Sequence, residues 1–205
     1  MVHTDRAYAH GESMYFCLYC LSSKEETICT QITNLLSGRF DDGFRVWFPK
    51  KEVRERKRGV YSSVEKPMFP NYLFIYWDGE VESEFPFVEI RRIPGVVRFL
   101  RYDDGSFDLK GKDLSFAKWI HMYGGFIKQS KVVFREGQKL HICEGPLRGF
   151  DGNVVKIDKH HKRITLRFEV AGNISCVSFS VEFLSNAVGE EKHEDSEATH
   201  STEDS

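Results

Sequence analysis

The chain has 205 residues, 40% of them hydrophobic and 17 of them phenylalanine, which is enough apolar surface for two small cores as readily as for one large one. Its net charge of −2 hides an asymmetry: residues 188–205 carry seven acids (Glu190, Glu191, Glu194, Asp195, Glu197, Glu203, Asp204) against Lys192, so the remainder stands at +4, compatible with nucleic acid without demanding it. No run reaches the ~20 apolar residues of a membrane span, the polar start lacks a signal core, and the cysteine spacing builds no disulfide framework, so a reduced cytoplasm is expected.

In chain order, residues 1–13 read as a flexible terminus. Met14–Leu21 is an aromatic-rich run of strand length. Ser23-Lys24-Glu25-Glu26 has the form of a capping box, and Ile28, Ile32, Leu35 and Leu36 behind it fall on one helical face that Gly38 would end. Phe44–Phe48 returns to strand character. Lys50–Lys66 is dominated by charge around a Lys57-Arg58-Gly59 turn and reads as an exposed hairpin arm. Pro67–Trp77 holds the next strand, Asp78–Arg92 an acidic connection with at most a weak helix interrupted by Pro86, Val96–Arg101 a fourth strand, and Lys112–Met122 a helix built on Leu114, Ala117 and Ile120. This order predicts an α+β fold, a sheet covered by helices, over 14–123.

Gly124-Gly125 opens an expected linker, 124–131. From 132 to 187 helical periodicity disappears. Short strands (Lys139–Cys143, Asn153–Asp158, Arg163–Val170, Ile174–Phe179) alternate with Gly, Pro, Asp and Asn turns, which predicts a small β-barrel. Residues 188–205 have almost no apolar side chains and read as a disordered acidic tail.

Two constellations could carry function. On a strand Phe69–Ile75, side chains alternate, with Phe69, Asn71, Leu73 and Ile75 on one face and Pro70, Tyr72, Phe74 and Tyr76 on the other. These aromatics either fill a core or form an exposed patch that receives a partner helix. Lys156, Lys159, His160, His161, Lys162, Arg163 and Arg167, with Arg148 on a neighbouring turn, form a basic loop and flanks. That loop is either a solvated hairpin tip or a phosphate-binding surface. The Lys50–Arg58 run invites the same two readings, a solvated arm or a contact to DNA.

The glycines at 137, 145, 149 and 152 suit tight turns, and no Lys-Ser or Lys-Thr follows to make a phosphate loop. Cys17 and Cys20 have metal-pair spacing, but on a strand positions three apart face opposite sides, so both read as core thiols, as do Cys29 and Cys143. His160-His161 reads as a surface pair. No catalytic set, metal site or cofactor is expected.

Both segments resemble one family. MYFCLYC before a helix, YLFIYW after Phe69-Pro70, and EGPLRGFDGNVVKID at Glu144–Asp158 together resemble the NusG-type transcription elongation factors, an NGN α/β sandwich followed by a KOW domain, an SH3-like barrel. General members carry FPGY where this chain has Phe69-Pro70-Asn71-Tyr72. FPNYLF and LYC at Leu18–Cys20 are similar to the specialised paralogue RfaH. EGPLRG, KIDKHHKR and the Glu169–Gly172 run are more similar to LoaP; both paralogues are operon-specific antiterminators.

The resemblance implies docking on the β′ clamp helices of bacterial RNA polymerase through Phe69, Pro70, Tyr72 and Phe74, with Tyr19 from the first strand. It implies nascent leader RNA on the basic loop, non-template DNA as a further candidate partner, and a monomer. Glu82–Pro86 departs from the His-Thr-Thr run that RfaH-like proteins use on the opposite wall of the cleft. The β-rich second domain gives no support to a helical refolding switch. A general NusG that couples polymerase to Rho or to a ribosome, and a ribosome-associated KOW protein, are the alternatives.

Overall fold

The computed structural model describes residues 13–40, 42–79, 81–135, 139–170 and 172–184. The expected flexible start (to residue 12), Gly137 and the acidic tail lie outside them. The elements are β1 (Met14–Cys20), α1 (Glu25–Phe40), β2 (Phe44–Trp47), β3 (Lys50–Lys57), β4 (Val60–Pro67), β5 (Tyr72–Trp77), α2 (Phe87–Arg91), β6 (Val96–Phe99), α3 (Gly111–Met122) and β7 (Phe126–Ile127). Then come β8 (Ser130–Arg135), β9 (Lys139–Glu144), β10 (Val154–Asp158), β11 (Arg163–Val170) and β12 (Asn173–Phe183).

A four-stranded antiparallel sheet, β2-β5-β1-β6, organises the first part. Alternation along β1 and β5 sends Phe16, Leu18, Leu73, Ile75 and Trp77 to one face, where Ile28, Ile32 and Leu36 of α1 and Phe87 and Ile90 of α2 cover them. The opposite residues, Tyr15, Cys17 and Phe74, meet Phe116, Ala117 and Ile120 of α3. Ile28, Ile32 and Leu36 are wholly buried, each such side chain stabilising by roughly 1.5–3 kcal/mol. This is the α+β sandwich expected.

The second part is a five-stranded sheet in the order β10-β11-β12-β8-β9, antiparallel except where β12 runs parallel to β8. Val132, Ile142, Leu147, Ile164, Leu166 and Val181 fill its barrel-like interior. At Gly145 the backbone has φ 94°, and a Cβ there would come within 2.8 Å of the Ser130 Cα, so the turn into Pro146 requires glycine. A third sheet, β4-β3-β7, joins the parts: β7 pairs parallel with β3 inside the stretch 124–131, and Gln129 N–H donates to the Glu52 carboxylate at 3.1 Å.

Several local expectations are corrected. Ser23 takes a positive φ of 65°, and the first α1 bond runs from Ile28 N–H to Lys24 O (2.9 Å), so Ser23 lies outside the cap position and no Ser23–Glu26 capping box forms. Gly38 does not end the helix, which continues to Phe40. α3 buries Phe116 and Trp119 beside the expected Ala117 and Ile120, while Leu114 is only partly buried. Cys29 and Cys143 are half-buried rather than fully in the core. The strand Ser130–Arg135 escaped the sequence reading because its apolar run is only three residues, Val132-Val133-Phe134, between charged neighbours.

Candidate functional site: an aromatic turn and a basic loop

The segment read as a strand from Phe69 begins instead as a turn. Tyr72 N–H donates to Phe69 O at 3.3 Å, and Asn71 holds φ 74°, the left-handed conformation that the third position of a type II turn needs. Asparagine tolerates that region better than other non-glycine residues. The Asn71 side chain donates to Cys20 O at 3.0 Å, and its backbone N–H donates to the buried Glu25 carboxylate at 3.0 Å. Glu25 is therefore the anchor that ties the turn to the start of α1.

The turn changes which side chains share a face. Strand alternation would put Phe69 with Leu73 and Ile75; the turn carries it to the opposite cluster, with Phe74 and beside Tyr72. Of the five aromatic-patch residues, Pro70 is exposed, Tyr19 and Tyr72 are half-buried with ring centroids 5.3 Å apart, Phe69 is 3% exposed and Phe74 is fully buried. Phe74 packs on Phe116 within the same sandwich, at 5.5 Å.

Phe69 is covered from outside the sandwich. Its ring lies 5.9 Å from that of Phe168 on β11, and Phe116 and Trp119 lie 5.6 and 5.8 Å from the same ring. Trp119 Nε1–H donates to Pro146 O at 2.8 Å, and Lys112 pairs with Glu169 at 2.9 Å. Burial pushes the Tyr72 phenol up, and the Asn173 side chain hydrogen-bonds it. The barrel-like part thus sits on the aromatic turn. Phe116, Trp119 and Phe168 complete this cluster, and sequence reasoning missed Phe168 because an inward-facing strand residue gives no sign that it also reaches a neighbouring unit.

The basic loop is the β10–β11 turn. Asp158 accepts from His161 N–H and from its ring Nδ1, both at 2.9 Å; these bonds hold the carboxyl below its ordinary range. Lys162 takes φ 51°, and its carbonyl accepts from Val181 N–H. Lys156, Lys159, His160, His161 and Lys162 are exposed, with the Lys159 ammonium 4.0 Å from the Phe134 ring centroid. Arg163 is half-buried. The structure does not gather all eight residues: Arg148 sits on the turn after Gly145, and Arg167 lines a different cleft with Lys112, Phe150 and Glu169.

Cys17 and Cys20 fall in opposite core clusters, as their spacing on a strand requires. Burial raises both thiols, that of Cys20 to about 11, away from the thiolate range. Among the described residues no group of His, Cys, Asp or Glu could hold a metal, and no helix is long and apolar enough to cross a membrane. The Glu82 carboxylate, in the stretch that departs from the RfaH-like run, accepts from Phe107 and Asp108 N–H (3.1 and 3.0 Å), which is a structural role.

A helix-covered antiparallel sheet with an aromatic turn is thus joined to a small barrel-like part with a basic loop. Residues 13–114 match the family model described as "Transcription termination factor nusG". That match covers the helix-covered sheet, the first of the two parts. It is similar to the transcription termination/antitermination protein NusG of Thermus thermophilus, 26% identical over 168 residues that cover 77% of this chain and 90% of that one. The protein of the same name from Treponema pallidum is 28% identical over 144 residues, 67% of this chain and 77% of the relative. A solved structure described as domain interaction in Thermotoga maritima NusG aligns with 82% of this chain and 94% of its own, at 17% identity and a TM-score of 0.48.

Proposed function

We propose that this protein is an operon-specific antitermination factor of the NusG family, acting in the cytoplasm on bacterial RNA polymerase. The sandwich domain docks on the polymerase clamp helices through the aromatic turn, and the basic loop holds nascent leader RNA. The observation that carries this reading is the Phe69-Pro70-Asn71-Tyr72 turn, which leaves Pro70 exposed and Tyr72 and Tyr19 half-buried beside Phe69. Aromatic anchors of this kind supply contact area at low entropy cost, and loss of one hot-spot ring typically costs about 2 kcal/mol or more. No covalent chemistry is involved: a factor that bridges the polymerase cleft suppresses pausing by binding alone.

Docking through Phe69 requires the Phe168 contact to open, because the same ring cannot face both partners. Tyr72 can be tested with less risk to the fold than the buried Phe69. In single-round transcription over the native leader and a terminator, the protein should raise readthrough, and Tyr72→Ala should abolish that effect. Equal readthrough on an unrelated template would instead support a general elongation factor, the reading favoured by the names of the two relatives above. No effect on either template would reject polymerase docking.

A further inference from the structure

The β3–β4 hairpin and the β10–β11 turn, far apart in sequence, face each other across a groove of about 610 Å³. The hairpin contributes Arg54, Arg56 and Tyr61, the β10–β11 turn contributes His160, Lys162 and Arg163, and Gln129 also lines it. Glu55 also lines it, and its carboxylate is held by Lys66. Two buried nitrogen donors in this groove, Gln129 Nε2 and Arg163 Nε, have no hydrogen-bond partner. A buried donor without an acceptor costs roughly 1–3 kcal/mol, and these two add uncompensated donors to the positive charge along this groove.

The aromatic content narrows the ligand. Tyr61 is 62% exposed, and the guanidinium carbons of Arg54 and Arg56 lie 5.6 and 5.7 Å from its ring centroid. A cationic wall with an exposed ring suits a strand whose phosphates and bases are both accessible; a duplex hides its bases. Behind the groove, burial, with Arg163 and Lys66 adding, lowers the Lys51 ammonium to about 8.

We propose that this groove binds a single-stranded nucleic acid across both domains, with phosphates on Arg54, Arg56, Lys162 and Arg163 and a base on Tyr61. The proposal rests on the RNA-binding reading of the basic loop and extends it to the hairpin of the first domain. It needs the two domains in contact: Arg54 N–H donates to Ser180 Oγ at 3.0 Å, and Lys51 lies 5.4 Å from the Phe179 ring.

The test is fluorescence-anisotropy titration of the full chain with a 12-nucleotide single-stranded RNA, the DNA strand of the same sequence, and the RNA duplex, over a range of salt. Arg54→Ala with Arg56→Ala tests the hairpin wall and keeps the backbone bond to Ser180. Lys162→Ala with Arg163→Ala tests the loop, Tyr61→Ala the ring, and Arg92→Gln, which does not line the groove, is the charge control, each checked by circular dichroism. The expected result is at least a tenfold loss on either wall. The salt slope should also flatten by about 0.7 for each phosphate contact removed. Tyr61→Ala should lower affinity severalfold with the slope unchanged, and Arg92→Gln should have no effect.

A preference for RNA or for DNA identifies which strand the groove takes; either supports it. Loss confined to the loop variant, or a preference for the duplex, overturns the two-walled groove while leaving the loop as an RNA site. Wild-type protein that binds none of the three overturns both readings.

Discussion

At the scale of single residues, Asn71 shows how one side chain sets a surface. Its left-handed backbone is cheap for glycine and costs an alanine roughly 1–2 kcal/mol. Asn71→Ala should therefore lower stability by at least that amount in urea titration, since it also loses the bond to Cys20 O, whereas Asn71→Gly should lose only the latter. His121 gives a second residue-scale expectation. Its Nδ1 lies 2.8 Å from the Tyr15 hydroxyl, and its ring sits between those of Trp47 and Tyr76. Burial, with Arg45 adding, lowers its proton affinity below the ordinary value near 6.5. As pH falls through that value the unfolded chain takes up the proton first, so stability drops, and the loss is complete once pH passes the lower folded value. Melting temperature should thus fall between pH 7.5 and 5.5, and His121→Gln should flatten the slope. The sequence marked neither role: Asn71 read as a strand residue, and its contact with Glu25 joins positions 46 apart.

At the scale of elements, periodicity served well wherever one face of an element meets one neighbour. Ile28, Ile32 and Leu36 lie buried on α1 as their spacing requires, and the hairpin turn falls on Arg58-Gly59, both at positive φ. It failed where a turn interrupts a strand, as at Phe69–Tyr72, because a period of two cannot register the reversal of side-chain direction. The second domain depends on a comparable local device. Asp151 Oδ1 accepts from Ile142 N–H and His141 Nδ1, both at 2.8 Å, clamping the loop after Gly149 to β9. Asp151→Ala should destabilise this domain by about 1–2 kcal/mol, read as loss of hydrogen-exchange protection on β9 with little change on β1 and β5.

At the scale of the whole molecule, the aromatic cluster of Phe69, Phe116, Trp119 and Phe168 makes the two domains share one core. Phe168→Ala removes the ring that reaches across. Losses of a few kcal/mol follow such truncations in cores, and here part of that loss falls on the contact between domains rather than on either fold. Hydrogen exchange should then rise at Tyr72 while the strands of each domain stay protected, and polymerase binding should strengthen severalfold. If the variant binds polymerase no better than the wild type, Phe69 is not the docking ring.

The sequence by itself determined the helix-covered sheet, the β-rich second part and most of the elements between them, because these follow from local periodicity, turn residues and contiguous motifs. Only the tertiary structure decided that Phe69 lies beneath Phe168, that Arg148 and Arg167 stand apart from the basic loop, and that the hairpin faces that loop across a groove. Those are contacts between side chains tens to more than a hundred positions apart, set by how two packed units meet, and no local pattern encodes them.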